Sequence, residues 1–191
     1  MNRDKYLATV RERMPEPRYV HTLGVMETAI HLADHYGVSK VDAEVAAILH
    51  DIAKFSNPLW MKKIIQNEKM NPILLEYHHE LWHAPVGAYV VRNELGITNE
   101  NILNAIRFHT TGRANMSPLE KILYVADMIE PNRRFPNVDL LREHATEGLD
   151  GIMEACIIHS IKFLIQKKQP VFPDSIHCYN DLVNKKGKVS E

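Results

Sequence analysis

The apolar run Ala46-Ala47-Ile48-Leu49 ends in His50 and Asp51, and Lys54 follows in the same stretch. Other metal-ligand types stand in comparable places. His21 lies in the first turn of an amphipathic segment, and Asp127 sits within the apolar stretch around Ile122, Leu123, Val125, Ala126 and Ile129. His83 and His109 mark a helix entrance and a helix exit between them. A carboxylate inside an apolar helix is costly to bury unless it is paired or coordinated, which directs attention to a cation near Asp127. The imidazoles of His21 and His50 with the carboxylates of Asp51 and Asp127 make a nitrogen and oxygen site. Such a site suits Fe2+, Mn2+ or Zn2+ and leaves positions for water and substrate. A metal there lowers the pKa of bound water and polarises a phosphoryl oxygen, so phosphate ester or anhydride hydrolysis needs no protein nucleophile. A His-Asp doublet alone is common by chance; the ordered recurrence of ligand types gives the pattern its weight.

The elements that must position these residues all read as helices. Leu7, Val10 and Met14 share the face of a first helix that Pro15 and Pro17 stop, and a second runs from Arg18 to a C′ glycine, Gly37. Ser39, with Asp42 three residues on, caps the helix that ends near His50-Asp51. Asn57-Pro58 opens a helix to about Ile65, and Asn71-Pro72 opens a fifth leading toward Leu81. Pro85 and Gly96 bracket the helix that His83 enters, and Thr98 or Asn99 starts the one that His109 leaves. Ser117-Pro118-Leu119-Glu120 combines cap, N1 proline and N3 glutamate ahead of Asp127. A short helix at Leu140-Leu141, a long one over Ile152 to Ile165 and a last one from Ser175 complete the chain. With no stretch of period two, the fold class is all-α: a single helical domain over residues 1–184 with a polar tail at 185–191.

The 191 residues suit one core, and 45% hydrophobic with 25% charged residues is ordinary globular composition. A net charge of −1 excludes a nucleic-acid or anionic-membrane binder held by bulk electrostatics, while leaving room for local grip on a small polyphosphate. Cys156 and Cys178 are too few and wrongly spaced for a thiolate metal site or a disulfide framework. With no apolar leader or spanning run, the expected location is the cytoplasm.

The segments Arg18-Tyr19-Val20-His21, His50-Asp51-Ile52-Ala53-Lys54, Trp82-His83-Ala84-Pro85-Val86-Gly87, Ile106-Arg107-Phe108-His109-Thr110-Thr111-Gly112, Ala126-Asp127-Met128-Ile129-Glu130-Pro131-Asn132-Arg133 and Pro170-Val171-Phe172-Pro173 together resemble the HD-domain phosphohydrolases. The resemblance is nearer still to the YqeK family of bacterial HD hydrolases that split diadenosine tetraphosphate symmetrically. It implies an HD helical domain in which His21, His50, Asp51 and Asp127 hold a metal, iron in that family, and in which the product is a nucleoside diphosphate. Within that reading Asp51, Lys54, His83 and His109 carry the catalysis. Substrate contacts are expected from His21, Lys54, His83, His109, Thr110, Asp127, Arg133 and the loop Pro170, Val171, Phe172 and Pro173. Lys54 and Arg133 would neutralise phosphates, Arg133 with two donors at once. Phe172 would border the base, so that its removal weakens affinity and spares stability.

His83 and His109 have two readings: protonated contacts to the scissile phosphate, which we take first, or ligands of a second metal bridged through Asp51. Two other functions compete. His79-Glu80-Leu81-Trp82-His83 spells the zinc-protease motif H-E-x-x-H, although Pro85 disfavours the continuous helix it needs. A non-catalytic nucleotide sensor, or an HD phosphatase of other nucleotides, would share the same pocket. The remaining histidines, His31, His35, His78, His79, His144, His159 and His177, read as surface or packing residues, and Tyr6, Tyr36, Tyr89 and Tyr124 as core aromatics.

Overall fold

Side-chain caps set most helix starts in the computed structural model, which describes residues 2–144 and 148–187. Asn2 accepts from the Lys5 amide at the head of α1 (Arg3–Arg11). Helix α2 (Glu16–His35) begins before Arg18, because Pro17 occupies its first turn, where the missing N–H is no loss, instead of stopping the chain. Gly37, at φ +67°, turns the chain after it. Ser39 caps α3 (Lys40–Leu49) by accepting from the Asp42 amide, and Asn57 caps α4 (Pro58–Asn67). The stretch expected to form a fifth α-helix makes two 3-10 turns instead, Pro72–Glu76 and His79–Leu81. Tyr77 is extended between them, at φ −113° and ψ 170°, and each piece is too short to propagate α-helical bonding.

Helix α5 (His83–Leu95) ends at the left-handed Gly96, and α6 (Glu100–Phe108) starts at Asn99. Helix α7 (Pro118–Ile129) has the complete capping box: Ser117 accepts from the Glu120 amide and Glu120 accepts from the Ser117 amide. Helix α8 spans Val138–Glu143, and α9 (Leu149–Gln166) starts from Gly148, ahead of the expected Ile152. Helix α10 (Pro173–Gly187) starts at Pro173, ahead of Ser175, and takes in 185–187 of the expected polar tail. Residues 188–191 lie outside the described residues. No strand occurs among the described residues, and the chain is all-α.

Helix α2 packs against α3 and α7, and α6 packs against α3, α5 and α7. Helix α9 covers α7 and carries α10. Ile48, Leu49, Ile52, Leu103, Ile106, Ile122 and Leu123 fill the centre with almost no exposure. Each such side chain contributes roughly 1.5–3 kcal/mol by leaving water. This centre fixes where the helices terminate. The last residues of α3, α6 and α7, the first of α5 and an early turn of α2 meet at one end of the bundle.

Candidate metal centre

His50 and His109 are the C-cap residues of α3 and α6, His83 is the first residue of α5, and His21 and Asp127 face each other from α2 and α7. All four imidazoles are buried, as is Asp51. Their Nδ1 atoms are committed. His50 Nδ1 donates to the Ala47 carbonyl at 2.7 Å, His83 Nδ1 to the Glu80 carbonyl at 2.6 Å and His109 Nδ1 to the Ile106 carbonyl at 2.7 Å. His21 Nδ1 donates to Glu130 Oε1 at 3.0 Å. In a neutral ring with Nδ1 as the donor, Nε2 is an acceptor, so all four Nε2 lone pairs point inward.

They meet further acceptors there. His21 Nε2 lies 3.0 Å from Asp127 Oδ1, and His50 Nε2 lies 3.1 Å from Asp51 Oδ2. His83 Nε2 is 3.0 Å and His109 Nε2 is 3.7 Å from Asp51 Oδ1, and the two ring atoms are 3.1 Å apart. His21 Nε2, His50 Nε2 and Asp51 Oδ1 are fully buried and make no hydrogen bond. Acceptors packed this closely repel unless a cation lies among them. Metal–ligand bonds of roughly 2.0–2.2 Å place neighbouring ligands about 3 Å apart, so the spacing fits a coordination shell. Among the described residues two sets can hold an ion: His21, His50 and Asp127, and His50, Asp51 and His109. His50 belongs to both sets, and Asp51, beside His50, appears with His109 in the second.

Electrostatics favours the ligating forms of Asp51, Asp127 and His109. Burial works against ionisation of Asp51, but the imidazoles of His50, His109 and His83 around it hold its carboxyl well below the usual range. Burial likewise opposes the charge on Asp127, and the Arg133 guanidinium and His21 hold it low. Burial lowers the pKa of His109 to about 4, leaving a neutral ring at neutral pH. At His50 burial is outweighed by Asp51 and Asp127, which raise its pKa.

A family model described as the HD domain matches residues 18–132, which span every one of these ligand-type residues. The chain belongs to the HD-domain family. It is 52% identical over 184 residues to the symmetrical bis(5'-nucleosyl)-tetraphosphatase of Bacillus subtilis, covering 96% of this chain and 99% of that one. The enzyme of the same name from Staphylococcus aureus is 39% identical, with 94% of each chain covered. The crystal structure of an HD superfamily hydrolase from Clostridium acetobutylicum, described as involved in NAD metabolism, superposes with a TM-score of 0.90 at 38% identity, covering 95% of this chain and 97% of that one. An HD domain binds a divalent metal, in keeping with the acceptor cluster.

Cations ring this HD centre. Arg133 donates from Nε to the Asp127 carbonyl at 2.7 Å and from Nη2 to Asp127 Oδ1. Lys54 pairs with Glu80 Oε2 at 2.5 Å. Arg18, which sequence reasoning did not single out, donates from both Nε and Nη2 to Asp51 Oδ2. Its position one helical turn before His21 is the available signal, and an exposed arginine would look the same in sequence. The H-E-x-x-H reading fails on geometry. His79 is exposed in a 3-10 turn, Glu80 is bound to Lys54, and His83 faces Asp51.

Two cavities share Leu81, Thr110 and Phe172 in their walls, Thr110 following His109 in the chain. One of about 480 Å³ continues along Tyr77, Ile161 and Pro170, and one of about 590 Å³ along Tyr89, Arg107 and Phe108. Val171 is half-buried beside them, and Pro173 serves as the first residue of α10. Phe172 is only 3% exposed, and its ring meets Tyr77 edge to face with centroids 5.0 Å apart. The expectation that its removal would spare stability is corrected by this packing. Tyr124 is a core aromatic as expected, its hydroxyl donating to Ser160 Oγ at 3.0 Å. His31, His35, His78, His79 and His177 are exposed.

Proposed function

We propose that this protein hydrolyses dinucleoside tetraphosphates symmetrically, converting diadenosine tetraphosphate and water to two ADP. The observation that carries the chemistry is the set of buried, unsatisfied acceptors around Asp51. The substrate is supported by near full-length similarity to the tetraphosphatases of Bacillus subtilis and Staphylococcus aureus. We take the metal to be iron(II), with manganese(II) and zinc(II) chemically acceptable to the same donors. The cytoplasm is the proposed location, supported by two buried free cysteines and by the lack, among the described residues, of any helix long and apolar enough to cross a membrane.

A divalent metal at this centre would supply Lewis acidity, neutralising phosphoryl charge and making water acidic enough to attack phosphorus near neutral pH. Its ligands would be His21, His50, Asp51 and Asp127. Because His109 groups with His50 and Asp51, and His83 Nε2 lies 3.0 Å from Asp51 Oδ1 and 3.1 Å from His109 Nε2, we assign His109 and His83 to a second metal position instead of to phosphate contacts.

The oxygen of water forms a bond to one of the two central phosphorus atoms, and the bridging P–O bond between them breaks. The departing ADP takes the bridging oxygen and a proton. Arg133 and Arg18 each hold a carboxylate with part of the guanidinium and keep further N–H donors for substrate oxygens. Lys54 supplies the third positive charge, with Thr110 on the side toward the cavities. The cavity wall of Tyr77, Pro170 and Phe172 receives a purine, with the extended chain around Val171 at its edge.

Hydrolysis of diadenosine tetraphosphate by iron-reconstituted protein in 18O-water, with products separated, tests this reading. ADP alone, with one label per two molecules, is the expected result. ATP plus AMP would overturn the cleavage site. Binding without turnover would favour the sensor, and faster hydrolysis of mononucleotides would favour an HD phosphatase of other nucleotides.

A further inference from the structure

Three of the four imidazoles obtain their Nδ1 acceptor from a backbone carbonyl three residues earlier, which is available because His50, His83 and His109 stand at helix ends. His21 lies inside α2, where the corresponding carbonyl, that of Arg18, already accepts from Thr22 Oγ1 at 3.0 Å. Its ring therefore needs a partner from elsewhere in the chain. That partner is Glu130, only 1% exposed, at the C-cap of α7.

Both carboxylate oxygens of Glu130 are fixed. Oε1 accepts from His21 Nδ1 at 3.0 Å, and Oε2 accepts from the Asn132 amide at 2.7 Å. Its own carbonyl is braced by Arg142 Nη2 at 2.8 Å. Space for the carboxylate is made by Gly24, where an added Cβ would stand 2.3 Å from Glu130 Oε2. Asp127 approaches the other ring nitrogen of His21 from the same helix end, so one turn of α7 grips this imidazole on both sides.

We propose that Glu130 is the positioning residue of the metal centre. It holds His21 as the Nδ1–H tautomer, orients Nε2 inward and makes the ring a better donor, with Gly24 as the space that allows it. Partners of this kind typically change metal affinity by about 10–100-fold when removed. The inference rests on the metal-centre reading and concerns the position formed by His21, His50 and Asp127.

The test is Mn2+ affinity by competition with a chelating dye, together with 15N spectra of histidine-labelled, metal-free protein. Glu130→Ala and Gly24→Ala are expected to weaken binding by about 10–100-fold. In Glu130→Ala the His21 signals should move from the Nδ1–H toward the Nε2–H tautomer, and Glu130→Gln should restore part of both. Glu120→Gln, which alters another buried carboxylate on α7, should leave affinity and tautomer unchanged. Folded Glu130 and Gly24 variants with wild-type affinity and an unmoved tautomer would overturn the assignment. An equal loss in Glu120→Gln would also overturn it, in favour of general destabilisation. If Glu130→Ala does not fold, Glu130→Gln and Gly24→Ala carry the test. Retention of full affinity in His50→Ala would instead defeat the underlying metal reading.

Discussion

Replacing Phe172 with alanine separates packing from recognition at the cavity wall. The ring is 3% exposed and rests against Tyr77, so its loss removes a core aromatic at the join between α9 and α10. Core Phe→Ala substitutions cost about 3–5 kcal/mol. For a chain of this size about 2–4 °C of melting temperature corresponds to each kcal/mol, so the expected fall is roughly 6–20 °C. Phe172→Leu fills most of the volume and should cost less than about 1.5 kcal/mol. If the ring also stacks on a base, Phe172→Leu should retain the fold and still lose affinity, since a base–aromatic stack is worth about 1–3 kcal/mol. Differential scanning calorimetry on both variants, with KM for diadenosine tetraphosphate on the leucine variant, reads the two effects apart. A melting temperature of Phe172→Ala within about 2 °C of wild type would refute the packing argument. A leucine variant with unchanged KM would remove the base contact.

Glu120 is buried, yet hydrogen bonds from Arg113 and from the Ser117 amide hold its carboxyl below the ordinary value. A depressed folded pKa gives stability that is present above the unfolded pKa and lost as pH falls through the folded value. Urea titrations from neutral to acid pH should show a shallower acid decline in Glu120→Gln; an unchanged slope would contradict this. Gly112 has φ +63°, and a Cβ there would lie 2.9 Å from Cys178 Sγ, so Gly112→Ala should destabilise by more than about 1 kcal/mol in equilibrium unfolding. Arg133→Ala should lower kcat/KM by at least about tenfold through loss of charge-assisted contacts, with metal content retained, and equal kinetics would make Arg133 a structural partner of Asp127 only.

Helix starts were legible wherever a local signal carries the physics, as at Ser117 with Glu120 and at Asn57 with Pro58. The stretch 71–82 was misread because proline and a cap mark a start without giving a length, and extended Tyr77 splits the segment. The ligand-type residues stood out because an aspartate in an apolar helix and histidines at helix ends are unusual. Their partners were hidden. Glu130 reaches His21 across 109 positions, and Arg18 reaches Asp51 across 33, separations that no periodicity or motif spacing encodes. Phe172 read as a site residue because it lies between Val171 and Pro173 in a connecting segment, and its packing on Tyr77, far off in the chain, is not encoded by any local pattern.

Iron(II) titration of anaerobically prepared metal-free protein, comparing wild type with His50→Ala and His109→Ala, tests the metal centre most directly. His50 belongs to both ligand sets and His109 to one. Wild type should bind two equivalents, His109→Ala should keep one, and folded His50→Ala should bind neither tightly. Full stoichiometry in folded His50→Ala would contradict the metal centre itself, and a single equivalent in both wild type and His109→Ala would return His83 and His109 to phosphate contact.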